Sequence, residues 1–222
     1  IDDAIDRVIA GIEKKSKVMT DDDKEITSYH EVGHALLAKL LKNCDELHKV
    51  TIIPRGYALG ITWTKPEDNK VHVSKAKLLD QITMTLGGRV AEEIVYGADK
   101  ISTGASSDLE KVTEIAKKMV TQWGMSEKMG AMTYGKSQEH VFMGRDFGTT
   151  RDFSEEFAAE LDREIKKIVD GRYQTAKNLL TENRDLLDAI AKELLEKETL
   201  DDDDVTAIIS KIKGTDFTDN CN

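Results

Sequence analysis

His30-Glu31-Val32-Gly33-His34 constrains the fold more than any other stretch of this chain. Residues i and i+4 of a helix lie one above the other on one face, so a helical segment lets both imidazoles reach a single point. The surrounding residues favour that helix. Thr20, followed by Asp21, Asp22, Asp23 and Glu25, puts a capping side chain and acidic residues where a helix N-terminus wants them. Ile26, Tyr29, Gly33, Leu37 and Leu41 recur at helical spacing, and Leu36 and Leu40 widen the apolar stripe. The spacing predicts a helix of roughly twenty residues with both histidines beside its buried face.

Paired imidazoles on one face suit zinc, and Glu31 then projects beside the metal, where it can take a proton from a bound water. A metal-activated water and a carboxylate base suffice to hydrolyse a peptide bond. Catalytic zinc takes three protein ligands and keeps the fourth position for water, so a third ligand must come from elsewhere. Position 40 is Leu, which excludes a third histidine six residues beyond His34. Cys44 falls ten residues after His34, too far along the same helix to reach the metal. Glu92 or Glu93, on a later helix, would serve. So would Asp108, where the small residues Ser102-Thr103-Gly104-Ala105-Ser106-Ser107 open a helix and can approach a metal closely. An aspartate at a helix start is usually only a cap. Spacing leaves the three carboxylates open.

The rest of the chain reads as mainly α, with room at 222 residues for one domain and a helical appendage. A net charge of −10 argues against nucleic acid as a partner. Cys44 and Cys221 provide no disulfide framework, which points to a reducing compartment. No apolar run approaches membrane-spanning length and no signal peptide is seen, so no membrane contact by this segment is expected. Ile1, Ala4, Ile5, Val8 and Ile9 form an amphipathic pattern already under way at the first residue, which suggests a join to a longer polypeptide upstream.

A short helix over 1–10 and a basic connector (Lys14, Lys15, Lys17) precede the motif helix. Val50–Thr64, interrupted by Pro54-Arg55-Gly56, predicts two short strands. A helix is expected from Ser74 to Tyr96, with Gly87-Gly88 in its interior. Each glycine there costs about 1 kcal/mol relative to alanine, which implies that something packs closely against them. Further helices are expected over 108–122, 154–171, 172–195 and 201–213, with a mobile loop over 130–150. The expected architecture is a helical zinc-peptidase domain, a small two-stranded β element beside the active site and a C-terminal helical bundle. The divisions are 1–19 for the helix and connector, 20–150 for the peptidase core, 151–213 for the bundle and 214–222 for a flexible tail.

Five motifs occur in order: His30-Glu31-Val32-Gly33-His34; Ile53-Pro54-Arg55-Gly56; Leu86-Gly87-Gly88-Arg89 with Ala91-Glu92-Glu93; Ser102-Thr103-Gly104-Ala105 through Asp108; and Met119-Val120-Thr121-Gln122-Trp123-Gly124-Met125. Together they closely resemble the peptidase domain of the FtsH family, membrane-anchored AAA+ zinc proteases, over about residues 1–213. The resemblance implies one zinc per chain held by His30, His34 and Asp108, with Glu31 as the catalytic base and Glu92 and Glu93 as structural residues near the site. It also implies degradation of unfolded polypeptides by an ATP-driven hexameric ring at the cytoplasmic face of the inner membrane. These residues hold no Gly-x-x-x-x-Gly-Lys-Ser/Thr phosphate loop, so ATP would be bound only by an upstream module. Val32 stands where the family commonly has Ala, and Tyr57 where it often has a small residue.

Substrate is expected to add as a strand along Tyr57, Ala58, Leu59, Gly60, Ile61 and Thr62, held chiefly by main-chain groups. The alternative is that this ribbon only covers the core. His48, His72 and His140 are expected to have surface or local hydrogen-bonding roles. Two rivals remain: a structural metal site, which would need a fourth protein ligand, and a deformylase-like hydrolase, which would need a cysteine upstream of His30 that the chain lacks.

Overall fold

Thr20 caps α1 (Asp21–Leu40) as its sequence requires: the side chain accepts the Asp23 N–H at 3.1 Å, and three aspartates fill the first turn. The structure, a computed structural model, describes residues 19–54, 59–65, 72–134 and 154–214. The expected helix over 1–10, the Arg55–Gly56 turn, Tyr57, Ala58, most of the loop at 130–150 and the tail beyond Gly214 lie outside the described residues.

α1 runs through the middle of the molecule. Val32, Ala35, Leu36 and Leu37 on it are fully enclosed. One flank is a three-stranded antiparallel sheet of order β2-β1-β3, formed by β1 (Glu46–Thr51), β2 (Ile61–Lys65) and β3 (Thr199–Asp201). Val50 at its centre lies opposite Thr62 on one side and Leu200 on the other. The expected ribbon therefore has a third strand. β3 is three residues long, too short for any periodicity to announce it. β2 is an edge strand.

The expected helix from Ser74 to Tyr96 is two helices, α2 (Lys75–Thr85) and α3 (Gly87–Tyr96), broken at Leu86. Leu86 has ψ −11°, away from the helical value, and its N–H contacts the carbonyls of both Ile82 and Met84. The glycine pair has the close neighbour its cost implied. A Cβ on Gly33 of α1 would lie 2.3 Å from the Gly87 carbonyl oxygen, so the two helix backbones touch.

α4 (Ser106–Thr121) and the C-terminal helices α5 (Glu155–Glu182), α6 (Arg184–Lys197) and α7 (Asp202–Lys213) complete the fold. The expected boundary at 171/172 is absent. Gly171 sits inside the 28-residue α5 with open space beside it. Its propensity penalty of about 1 kcal/mol is absorbed by a helix this long and well packed. The break comes instead at Asn183 (φ −117°, ψ 34°), whose side-chain amide donates to the Leu179 carbonyl. No helix among the described residues is long and apolar enough to cross a membrane.

Candidate metal centre

The hydrogen bonds of the two motif histidines fix which ring nitrogens are free. His34 Nδ1 lies 2.9 Å from the Met84 carbonyl, which can only accept, so this nitrogen carries the proton. His30 Nδ1 lies 2.7 Å from Glu92 Oε1 and donates to that carboxylate. In each neutral ring Nε2 is then a lone pair. These two lone pairs face one another at 3.2 Å, with Asp108 Oδ2 3.2 Å from the first and 3.4 Å from the second. Three acceptors converge, and a cation must reconcile them. Among the described residues, His30, His34 and Asp108 form the one group of three potential ligands, with their atoms within 4.8 Å of one another. Two imidazoles and a carboxylate suit zinc.

The electrostatics agree. Burial opposes a charge on His30, but hydrogen bonds with Asp108 and Glu92 outweigh it and push the imidazole up to about 10. Burial also opposes the charge on Asp108, and there His30 and His34 win, holding the carboxyl well below the usual carboxylate range. Glu92 follows the same pattern: burial raises it, while His30 and the Ser102 backbone N–H bring it down. The cluster is built to keep one positive charge between anions, as a proton or as a metal.

Each candidate ligand is placed by a local feature of the chain. The His30 ring lies against Gly88, where a Cβ would come 2.4 Å from Nε2. Glu92 accepts from His30 through Oε1 and from the Ser102 N–H through Oε2 at 2.7 Å, which ties the imidazole to the loop carrying Asp108. Asp108 is no cap. The N-cap of α4 is Ala105, which has no capping hydrogen bond, and Asp108 turns its carboxylate to the histidines instead. Glu93 is elsewhere, with its carboxylate bound to Lys177 at 2.8 Å and to the Tyr173 hydroxyl.

Glu31 is buried beside the cluster. The Thr62 hydroxyl lies 2.7 Å from Glu31 Oε2 and 2.9 Å from the Glu31 carbonyl, offering one proton to two acceptors. Gly60 covers the same side chain closely, since a Cβ there would lie 2.7 Å from Glu31 Cγ. A cavity of about 810 Å³ opens over these groups, with Leu59, Gly60, Ile61 and Thr62 on one wall and Ser106, Asp108 and Lys111 on another. Tyr57 and Ala58, expected to continue that wall, lie outside the described residues.

Four features go beyond the sequence reading: the Met84 carbonyl, the double role of Glu92, the hydrogen bond of the Thr62 hydroxyl to Glu31 and the presence of Lys111 in the lining. Glu92 had a signal as a carboxylate on a candidate ligand helix, and Thr62 as the end of the expected substrate strand; Met84 and Lys111 had none. Of the remaining histidines, His48 packs edge-on against Trp63 at 5.6 Å, His72 is exposed and His140 is outside the described residues.

Residues 17–208 match peptidase family M41. The chain is 52% identical over 206 residues to the ATP-dependent zinc metalloprotease FtsH of Myxococcus xanthus, covering 93% of this chain and 32% of that protein. It is 51% identical over 219 residues to the ATP-dependent zinc metalloprotease FtsH 1 of a Thermoanaerobacter species, covering 98% of this chain and 36% of the relative. The match to the Synechococcus FtsH is 50% over 210 residues, 94% of this chain and 33% of that one. The chain thus spans about a third of the length of these curated relatives. With the metal cluster, the cavity and the mainly helical fold in agreement, the chain belongs to peptidase family M41.

Proposed function

We propose that this chain is a zinc metalloendopeptidase domain that hydrolyses peptide bonds of unfolded polypeptides, with His30, His34 and Asp108 as ligands and Glu31 as the general base. The convergence of two Nε2 lone pairs and the Asp108 carboxylate at one point, with Glu31 alongside, carries this reading. Bound there, zinc would supply Lewis acidity, making water a nucleophile near neutral pH and polarising the scissile carbonyl.

The chain's own residues do the rest. The Glu31 carboxylate takes one proton from the attacking water, on the oxygen not engaged by Thr62, and delivers it to the leaving amine. The Thr62 hydroxyl holds the Glu31 carboxylate in place. Glu92 fixes the His30 tautomer and raises the basicity of its ring, as a carboxylate behind a metal-ligating histidine does. The Met84 carbonyl does the same for His34. The substrate adds along Tyr57–Thr62 as a strand beside the edge strand β2, so that main-chain groups do most of the holding. A purely structural metal site would take a fourth protein ligand, whereas among the described residues the set has three.

In the longer protein the domain works beside an upstream ATP-binding module, in a membrane-anchored homo-hexamer at the cytoplasmic face of the inner membrane. The relatives' names, which call them ATP-dependent zinc metalloproteases, and their threefold greater length support the ATP-binding module; the anchor, the ring and the location are what the family resemblance implies. We assign the peptidase core to 20–150 and the helical part to 151–213, whose strand β3 completes the sheet of the core.

Casein cleavage by the zinc-loaded protein, compared with Glu31→Gln and Asp108→Ala and with metal content measured for all three, tests the assignment. Glu31→Gln is expected to keep its zinc and lose cleavage by a factor of at least about 10², while Asp108→Ala loses zinc. Full metal and full activity in Asp108→Ala would rule Asp108 out as a ligand.

A further inference from the structure

The cavity over the metal cluster carries charges that hydrolysis does not use. His30, His34, Asp108 and Glu31 serve the reaction, and Glu92 is committed to His30 and Ser102. That leaves Asp23 and Lys111 among the described charged residues of the lining. Asp23 lies seven residues before His30, about 10 Å along the axis of α1, and its carboxylate accepts the Thr20 hydroxyl at 2.7 Å. Lys111 is far closer to the reacting centre. It follows Asp108 by three residues on the same face of α4, with Nζ 3.7 Å from Asp108 Oδ1.

Lys111 contributes little to the fold. Its side chain is 66% exposed, and the contact with Asp108 is longer than a hydrogen bond, so the pair adds little stability. Asp108 turns Oδ2 to the two histidines, and a metal held there would take up much of its charge. The pull of Asp108 on Lys111 weakens accordingly. What remains is a long, rotatable ammonium, the one lysine or arginine among the described residues lining the cleft.

On the β2 side of the same cavity the wall is lined by Gly60, Ile61 and Thr62. A polypeptide added as a strand along that wall sends alternate side chains to opposite sides, so one position beside the scissile bond faces α4. From this juxtaposition, and resting on the hydrolase reading above, we infer that Lys111 is a specificity-determining residue that favours polypeptides with an aspartate or glutamate side chain next to the bond to be cleaved. The interaction is a charge pair at a partly exposed site. The preference is therefore several-fold and sensitive to salt.

Peptide binding to the zinc-loaded Glu31→Gln protein, read by fluorescence anisotropy, tests this without turnover. The probes are unfolded peptides identical except for Glu, Gln or Lys at each position flanking the bond that the unsubstituted protein cleaves. At one flanking position the Glu peptide should bind about threefold to fivefold tighter than the Gln peptide at low ionic strength, and the gap should shrink in 0.5 M salt, where the Debye length falls to a few ångströms, about 3–4 Å. Adding Lys111→Gln should erase the gap, and Lys111→Glu should reverse it towards the Lys peptide. Equal affinities for all three peptides would overturn the inference, as would a Glu preference that survives Lys111→Gln. A Lys111→Gln effect equal on every peptide would also overturn it, because that is the signature of a role exerted through Asp108 alone. Failure of the hydrolase reading would show separately, as no cleavage of any peptide by the zinc-loaded protein with Glu31 intact.

Discussion

The two sides of α1 are held in opposite ways. Towards α3 the helix presents Gly33, and the neighbouring backbone sits directly against it: a Cβ there would meet the Gly87 oxygen at 2.3 Å and the Ala91 Cβ at 2.8 Å. Towards α6 the partner brings bulk, with Leu186, Leu187, Ile190 and Leu194 fully buried and the Ser28 hydroxyl donating to the Ala191 carbonyl at 2.9 Å. The α6 side stabilises by apolar area, which tolerates small adjustments. The α3 side brings two backbones into contact and fixes the distance between them. Metal ligands tolerate displacements of only a few tenths of an ångström, so a distance-fixing glycine contact suits the helix that carries the proposed ligands His30 and His34.

Substitutions on either side should separate the two modes, ranked here by their effect on zinc affinity. Gly33→Ala should have the largest. Its methyl would meet the Gly87 backbone and the Ala91 Cβ, neither of which can swing aside, so α1 and α3 must part, at a cost of about 1–3 kcal/mol or more and with loss of stoichiometric zinc after dialysis. Retention of one zinc per chain would break the comparison. Glu92→Gln should come next. The side chain can no longer accept from both His30 and Ser102, and zinc affinity should fall about 10- to 100-fold in a competition titration.

Leu187→Ala should cost about 2–5 kcal/mol in denaturant unfolding, yet leave zinc affinity of the folded protein within about twofold. Glu93→Gln should leave zinc affinity unmoved and alter only the response to acid. The Lys177 ammonium and the Tyr173 hydroxyl hold Glu93 below its ordinary value of 4.5, so its contribution is present above that pH and lost as the pH falls through the depressed value. Glu93 is partly exposed, so unfolding measured between pH 7 and pH 3 should show at most about 1 kcal/mol less acid sensitivity in the variant.

Legibility in the sequence followed the same division. α1 was readable from its cap to its apolar stripe because local signals and burial agree along it. The glycine pair announced a close neighbour, which is α1 itself. The break at Leu86 was not readable, since the apolar spacing from Leu78 to Ile94 runs straight through it and a glycine pair signals close packing as readily as an interruption. Gly171 misled in the other direction: glycine suggests an end, but α5 is held by tertiary contacts that outweigh a single residue's propensity. The histidines pointed to a metal, while spacing left Glu92, Glu93 and Asp108 open. Separating them takes hydrogen-bond directions: Glu92 faces Nδ1 of His30, Asp108 faces Nε2, and Glu93 faces Lys177.

The short strand β3 bears on the order in which this protein can be assembled. The Thr51 and Thr199 hydroxyls meet at 2.8 Å although 148 residues separate them, and Ile52 N–H bonds to the carbonyl of Glu198. During synthesis β1 therefore keeps one unpaired edge, and α1 lacks the wall provided by α6, until residue 201 has left the ribosome. Contacts of such long sequence separation form slowly. A nascent chain carrying His30, His34 and Asp108 thus has both histidines on a helix that is still half exposed, and the cluster they form with Asp108 becomes rigid only when the most distant segment arrives.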